Sequence, residues 1–536
     1  MKYVKKDDLE EVYNEYMALN SIDDKNSIEI LQICGELIDS SFYLKKEEGI
    51  KKAMLFLEKL KNKSLNDEQK GILYYYFGNA YADIGSFEIS NFLLWDDKNK
   101  KKAIYNYRKS LIYKLDKDTT AQVLINLANL YDSLGRFVKS IALYKQAKEE
   151  KSENYSTYMA DGNKGISLFH YANIIYDKGH RIYFAYFAYN CLKEAINNSS
   201  KDTTDREVYE GYLKKLNTQD LDKIKFEDLK LNDFSLGDSE EEKKYRKWCL
   251  ENCLFLNPIN DLGEYNISAH DSLHLPNMIF NINQNYIEFP SFFNQLKQEY
   301  VSARYLIYEG ITNMGTMHFS DRGVLIINPL DYPRYSLNVE KIKMSFKVLY
   351  SIFDKISLFM RKYLKLKYKN QKGEDIRNID FRKMWYEKGN VKSQIIHQDI
   401  FSLNNQAFKG LFLLSKDILF HHRTRDEQIV KDLTLSLEPS AKEINLLRNN
   451  LEHGYVKVHD DSYNLNNDNM LKDTMSYSIK ESDLINYSKK LLYLVREALI
   501  YLSLGVHIEE MKKEVNLKTK KVPVIKSDIY EDEWKC

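Results

Sequence analysis

Chain breakers are scarce in this sequence, with 7 Pro and 20 Gly among 536 residues. That scarcity excludes collagen-like and proline-rich low-complexity architectures and leaves long stretches free to be helical. Cysteine is equally sparse: Cys34, Cys191, Cys249, Cys253 and Cys536 are too few for a disulfide scaffold in a chain of this length, and reduced thiols in a cytoplasm are expected. Met1 to Glu11 is charged and has no apolar signal core. No uninterrupted apolar run reaches the roughly 20 residues that span a bilayer. The best candidate, Leu491 to Val506, carries Arg496 and Glu497 and reads as a core helix, so no membrane partner is expected. A net charge of +1 excludes a globally basic nucleic-acid binder while permitting a local basic surface.

Metal and cofactor signatures are missing as well. Cys249 and Cys253 are four apart, but no partner pair follows and packing is the better reading. His270, Asp271 and His274 lie close together without a further ligand set, which suits loop capping better than metal binding. Asp460 to Asn469 lacks the Gly and terminal Glu of a calcium loop, and no Gly-rich phosphate cradle occurs. No metal and no cofactor is expected. What is present is 43% hydrophobic and 29% charged residues with 41 Tyr, the composition of a mainly α-helical globular chain of two to four domains.

Residues from about 26 to 196 read as paired helices, with Gly85 and Gly135 punctuating two of the pairs. Leu124, Leu127, Ala128, Tyr131, Gly135, Ser140, Tyr144 and Ala147 fit the small and large positions of a tetratricopeptide repeat. Tyr74, Phe77, Gly78, Tyr81, Gly85, Ala103, Tyr107 and Ser110 resemble a second copy split by an insertion, Ser86 to Lys100. Ile166 to Ile196 is a looser pair and Ile28 to Leu60 a degenerate first one, at spacings above the period of about 34 residues. Such a stack presents a concave face for a protein or peptide ligand, or serves only as a scaffold.

From Asn197 to Gly237 the chain is polar and loop-rich, with short helices. Helices are expected at Glu240 to Leu256 and at about Phe292 to Tyr308, and Val324 to Ile327 is the best strand candidate. Beyond it, four helices are expected. The first is about Leu337 to Leu364, with Ile342, Phe346, Leu349, Phe353, Ile356 and Met360 as its buried stripe, and the second about Ala407 to Phe420. The third begins near Ser440, and the fourth is about Ser482 to Met511. Between the first two, Arg361 to Lys392 holds eleven Lys/Arg against four acids, an excess of seven. Arg361, Lys362, Lys365, Lys367, Lys369, Arg377, Arg382 and Lys383 are the RNA-binding candidates, with Tyr363, Tyr368, Phe381, Trp385 and Tyr386 available to stack bases. The alternative is a solvated helix end with its aromatics turned inward. His421-His422-Arg423 is a second basic loop.

The third helix carries the chemistry. Ser440 and Glu443 have the spacing of a capping box behind Pro439. Ile444, Leu447, Leu451, Tyr455 and Val458 then form one apolar stripe, so the helix is expected to pass through Gly454, although that glycine can also end it. Asn449 and His453, four apart, project together from roughly the opposite side, and Arg448 reaches over to join them. The bland reading pairs Arg448 with Glu452 on a wet face.

Arg448-Asn449-Asn450-Leu451-Glu452-His453 resembles the R-N-x-x-x-H signature of the HEPN superfamily, helical domains many of whose members are metal-independent RNA endonucleases. Tyr245 to Leu250, Leu254 to Pro258, Asn294 to Tyr300 and Phe353 to Ile356 resemble a bacterial branch of that superfamily with N-terminal repeat helices. The resemblance implies a four-helix domain over about 331–515, preceded by TPR-like repeats (1–196) and a central linker region (197–330) and followed by a charged tail (516–536). It also implies a homodimer that builds its site between two HEPN domains, and a toxin or antiviral role with the repeats as sensor. RNA cleavage through its own 2′-hydroxyl needs a proton carrier, for which His453 is the candidate, and a cation on the crowded phosphorane, for which Arg448 is. Asn449 would orient the imidazole or hold a phosphate oxygen. The rival reading is a scaffold that binds RNA, nucleotide or a protein partner without cutting.

Overall fold

Long apolar-striped stretches with few breakers fold into helices packed in sequence order, and the computed structural model of the protein shows this along most of the chain. It describes residues 6–87, 95–150, 156–199, 204–216, 221–280, 287–328, 330–369, 373–376, 379–390, 395–418, 440–464, 475–516 and 530–535. The N-terminal part runs α1 (Lys6–Ala18), α2 (Ser27–Leu44), α3 (Glu47–Leu60), α4 (Asp67–Phe87), α5 (Lys98–Ser110), α6 (Lys117–Ser133), α7 (Phe137–Glu149), α8 (Ser156–Ile174), α9 (Lys178–Asn198) and α10 (Thr204–Leu216). α2 packs on α3, α4 on α5, α6 on α7 and α8 on α9. A Cβ at Gly78 would lie 2.4 Å from the Tyr107 ring, and Leu124, Ala128, Tyr131, Tyr144 and Ala147 are buried in one cluster. Gly85 does not end its helix as expected; it lies inside the last turn of α4, which continues to Phe87. Part of the expected insertion, 88–94, falls outside the described residues.

The central region contains α11 (Glu240–Glu251) and α12 (Glu288–Thr312). It is pinned by two buried arginines: Arg304 donates to both oxygens of Asp271 (2.9 and 2.7 Å), and Arg496 donates to Asp261 (2.6 Å) and to the carbonyls of Phe255 and Asn257. Asp271 is thus a structural counter-ion. His274 turns its Nδ1 to the Ser272 carbonyl at 3.0 Å, and the buried Cys249 thiol is pushed up to about 12 by its burial. Among the described residues no group of His, Cys, Asp and Glu is arranged to hold a metal ion.

The C-terminal part holds α13 (Leu337–Tyr363), α14 (Gln398–Phe401), α15 (Gln406–Ser415), α16 (Ala441–His453) and α17 (Glu481–Asn516). Ser336 caps α13 through the Val339 amide at 3.3 Å, and Ile342, Phe346, Leu349, Phe353, Ile356 and Met360 are buried. α17 is long and apolar enough to cross a membrane, but 83% of its most apolar window is buried inside the protein. α13 packs on α12, α16 and α17, and α15 packs on α17. The expected strand at Val324–Ile327 does not form. These side chains are exposed and the segment has no pairing partner among the described residues. The strands lie elsewhere: β1 (Tyr455–His459) and β2 (Ser476–Lys480) pair in parallel, Tyr455 opposite Ser476 and His459 opposite Lys480.

The N-terminal helices are welded to this part by buried charge. Arg136, 0% exposed, sits at the turn after Gly135 and donates to Asp417 and to both oxygens of Glu497 at 2.5, 2.9 and 2.6 Å. Arg108 adds a fork on Asp417 at 2.9 and 3.2 Å. Gly135 (φ 84°) fits its turn, and a Cβ there would stand 2.0 Å from the Gln406 carbonyl oxygen of α15. Removing one partner of a wholly buried ion pair leaves uncompensated charge. Arg136→Met should therefore lower the free energy of unfolding by about 3–5 kcal/mol in urea titration, and adding Glu497→Gln should recover part of that loss.

Candidate active site

Helix α16 lays Ala441, Ile444 and Leu447 into the core, with Leu451 partly buried against it. The helix stops at Gly454 instead of continuing to Val458, because residues 455–459 are taken up by the pairing with β2. Glycine is the poorest ordinary helix former, which suits the exit point. The expected capping box is not formed either. Ser440 has φ −92° and ψ 11°, too near helical for its hydroxyl to cap, and the hydroxyl instead accepts from Lys490 Nζ at 2.7 Å. Pro439 lies outside the described residues.

Three residues at four-residue spacing run along α16 from core to solvent: Asn445 is 5% exposed, Asn449 half-buried and His453 exposed. Arg448 lies beside this row and is half-buried. Its guanidinium carbon sits 5.3 Å from the centroid of the Tyr350 ring on α13, and its Nη1 donates to Asn449 Oδ1 at 3.0 Å. Asn449 Nδ2 donates to Asn445 Oδ1 at 3.1 Å, and Asn445 Nδ2 approaches the Tyr350 hydroxyl at 3.5 Å. The result is a closed circuit in which two amides and a tyrosine hold one arginine. Its Nε is buried without a hydrogen-bond partner among the described residues, and the guanidinium does not pair with Glu452. The amide of Asn449 is therefore spent on Arg448 and Asn445. It does not orient His453, whose imidazole has no hydrogen bond among the described residues.

One turn along α13 from Tyr350 stands Asp354, which accepts from the Phe381 amide at 3.2 Å. Surrounding protein, and secondarily the like charge of Asp380, hold its carboxyl above the ordinary carboxylate range, against the pull of Arg382 and Arg448. Burial likewise raises the Tyr350 hydroxyl, opposed by the same two guanidiniums. Arg382, turned by a 3.2 Å bond to Asp380, is thus the member of the basic segment that the structure sets beside Tyr350 and Asp354. Arg448 and Arg382 both act electrostatically on Tyr350 and Asp354, Arg382 while paired with Asp380 at 3.2 Å.

The other basic candidates are dispersed. Lys362, Lys365, Lys367, Lys369 and Lys383 are solvent-exposed. Arg361 lies over the Tyr368 ring at 5.6 Å, and Arg377 lies outside the described residues, as do Lys372, Lys392 and His421 to Arg423. Base stacking by the interleaved aromatics is not what the structure provides. Tyr368, Phe381, Trp385 and Tyr386 are buried as core side chains, and Tyr363 donates to Glu510 at 2.7 Å.

The helices packed on α13, with the Arg-Asn-x-x-x-His helix among them, overlap a match to a HEPN-like family. Residues 280–509 match the family described as LA2681-like HEPN, a stretch that takes in α12 and the segment before α13 as well as the motif. No curated protein and no solved structure matches the chain. Sequence reasoning missed Asn445 and Tyr350. Asn445 stands four residues before Asn449 at the edge of the apolar stripe, and that spacing was the available signal. Asn445→Ala should cost about 1–3 kcal/mol of stability in denaturant titration and should change the NMR environment of the Arg448 Nε–H, while Asn450→Ala leaves that resonance in place.

Proposed function

We propose that the protein is a metal-independent RNA endonuclease with Arg448, Asn449 and His453 at its site. The observation that carries this reading is the Arg448 guanidinium, gripped by Asn449 and stacked on Tyr350, with no carboxylate ion pair among the described residues. A donor fixed in direction and not consumed by the fold is what a developing phosphorane charge requires. Arg382, paired with Asp380, adds positive charge near Tyr350. The exposed His453, one turn beyond Asn449, is the proton carrier. In the step proposed, the 2′-oxygen attacks the adjacent phosphorus while its proton passes to an imidazole, and the P–O5′ bond breaks with protonation of the departing oxygen. No electron or external group is needed.

One imidazole cannot act as base and as acid on opposite oxygens at once, so we further propose a homodimer in which two His453 side chains share the work. The N-terminal helix pairs, read as TPR-like repeats, would carry a protein or peptide trigger, in keeping with a cytoplasmic toxin or antiviral effector. A second reading, a HEPN-like scaffold that binds RNA, nucleotide or a protein partner without cutting, is favoured by one observation: among the described residues nothing fixes the tautomer of His453.

Incubation of the pure protein with mixed RNA in excess chelator tests the proposal. Cleavage should persist, His453→Ala should reduce it by about 10²–10⁴-fold, and Arg448→Ala should do so without loss of folding. An absolute requirement for a divalent ion would overturn it, as would cleavage unchanged by His453→Ala. Mixing wild-type chains with excess His453→Ala should suppress activity through mixed dimers once subunits exchange; activity that follows only the amount of wild-type chain would contradict the shared site.

A further inference from the structure

Between α12 and α13 the chain exposes apolar surface that its own described residues leave uncovered. Nine large apolar side chains from Met317 to Tyr335 are at least half exposed, with Leu325 at 99% and Ile327 at 92%. The centre of the segment, Val324-Leu325-Ile326-Ile327, is rich in residues that favour strands. No residue from 324 to 328 has a positive φ, and the backbone there makes no hydrogen bond among the described residues.

The segment is held from both ends. Asp321 accepts from the Leu337 amide at 3.0 Å, at the start of α13. At the other end the Arg334 amide donates to the Val458 carbonyl of β1 at 2.7 Å, Arg334 pairs with Asp460 and Glu481, and Lys457 of β1 pairs with Asp331 at 2.6 Å. Leu330 (φ 63°) and Tyr332 (φ 51°) are bulky residues in the left-handed region, a conformation that persists only where surrounding contacts impose it. The anchoring strand β1 follows directly on the motif helix.

We infer that residues 324–328 are the contact between two copies of this chain, formed by antiparallel pairing of the segment with itself about Ile326. Antiparallel self-pairing is isologous, so one segment supplies both sides of the contact. Leu325 and Ile327, two apart, fall on one face of an extended chain. Pairing about Ile326 sets Leu325 of each copy opposite Ile327 of the other, which brings the two most exposed apolar side chains of the segment into cross-strand contact twice over. The other exposed apolar side chains between Met317 and Tyr335 extend the apolar surface beside this contact. The unpaired backbone groups supply the strand hydrogen bonds. The inference specifies a contact for the shared site proposed above and rests on that reading in this respect; association itself is measured without RNA, so the two can fail separately.

The test is sedimentation of the full chain at micromolar concentration, wild type against the double variant Leu325→Asp, Ile327→Asp. Both positions are so exposed that folding should be unaffected, which an unchanged melting curve checks. Wild type should sediment at twice the 63.4 kDa chain mass, and the variant should be monomeric, with dissociation strengthened at least about 100-fold. Alternate amides within 324–328 should exchange slowly in the wild-type dimer and all of them freely in the variant. A monomeric wild type overturns the inference. So does a variant that dimerises as well as wild type, or a dimer whose 324–328 amides all exchange at the free rate. A dimer of this kind that leaves RNA intact would sink the ribonuclease reading alone, and a monomeric variant that still cuts would sink the shared site.

Discussion

Burying a guanidinium without water is tolerable only where carboxylates close around it, and Arg136 meets that condition with one partner from each of two distant parts of the C-terminal region. Asp417 ends the α15 segment and Glu497 lies in the middle of α17. Tyr501 ties the arrangement further by donating to Glu497 and accepting from the Val138 amide. Desolvation of these charges is large, and only their mutual pairing offsets it. The helix pairs therefore cannot drift relative to α15 and α17 without stranding charge in the core. Gly135 and Gly410 permit the backbones to approach closely enough for this pairing, since a Cβ at Gly410 would stand 2.3 Å from the Gly135 carbonyl oxygen.

The site follows a smaller version of the same logic. Arg448 is held by neutral amides and a ring face, not by a carboxylate of its own helix, so its charge remains available to an anion. Asp354 lies near enough to act on it electrostatically, yet its hydrogen bond is with the Phe381 amide. That division of labour separates a positioned cation from a structural one: Arg136, Arg304 and Arg496 are each consumed by carboxylates, whereas Arg448 is not.

How much of this was legible in the sequence depended on how local the cause was. α13 begins at Leu337 as expected and ends one residue from the expected limit, because a serine cap and a continuous apolar stripe lie within the helix itself. That Arg448, Asn449 and His453 share one helix was legible for the same reason, whereas the bond from Arg448 to Asn449 and the lack of one from Asn449 to His453 were not. Tyr455 and Val458 misled, since apolar residues three apart in so short a stretch fit a helical stripe while Tyr-Val-Lys-Val-His fits a strand equally well, and the pairing partner at 476–480 decided between them. Val324 to Ile327 misled in the opposite sense: it has the residues of a strand and no partner in its own chain among the described residues. Tyr350 and Asn445 could not be joined by reading, being 95 positions apart. The aromatics between Arg361 and Lys392 went to the core because burying them gains more than leaving them in water beside lysines.

The claim on which the account turns is that the substrate's own 2′-hydroxyl is the nucleophile under the control of Arg448 and His453. It is tested most directly by mapping one cleavage position in a defined RNA, replacing the ribose 5′ to that bond with 2′-deoxyribose, and identifying the ends released from the unmodified strand. The account predicts 2′,3′-cyclic phosphate and 5′-hydroxyl ends, with cleavage abolished at the substituted position. Cleavage of the deoxy-substituted bond, or release of a 5′-phosphate, would contradict it.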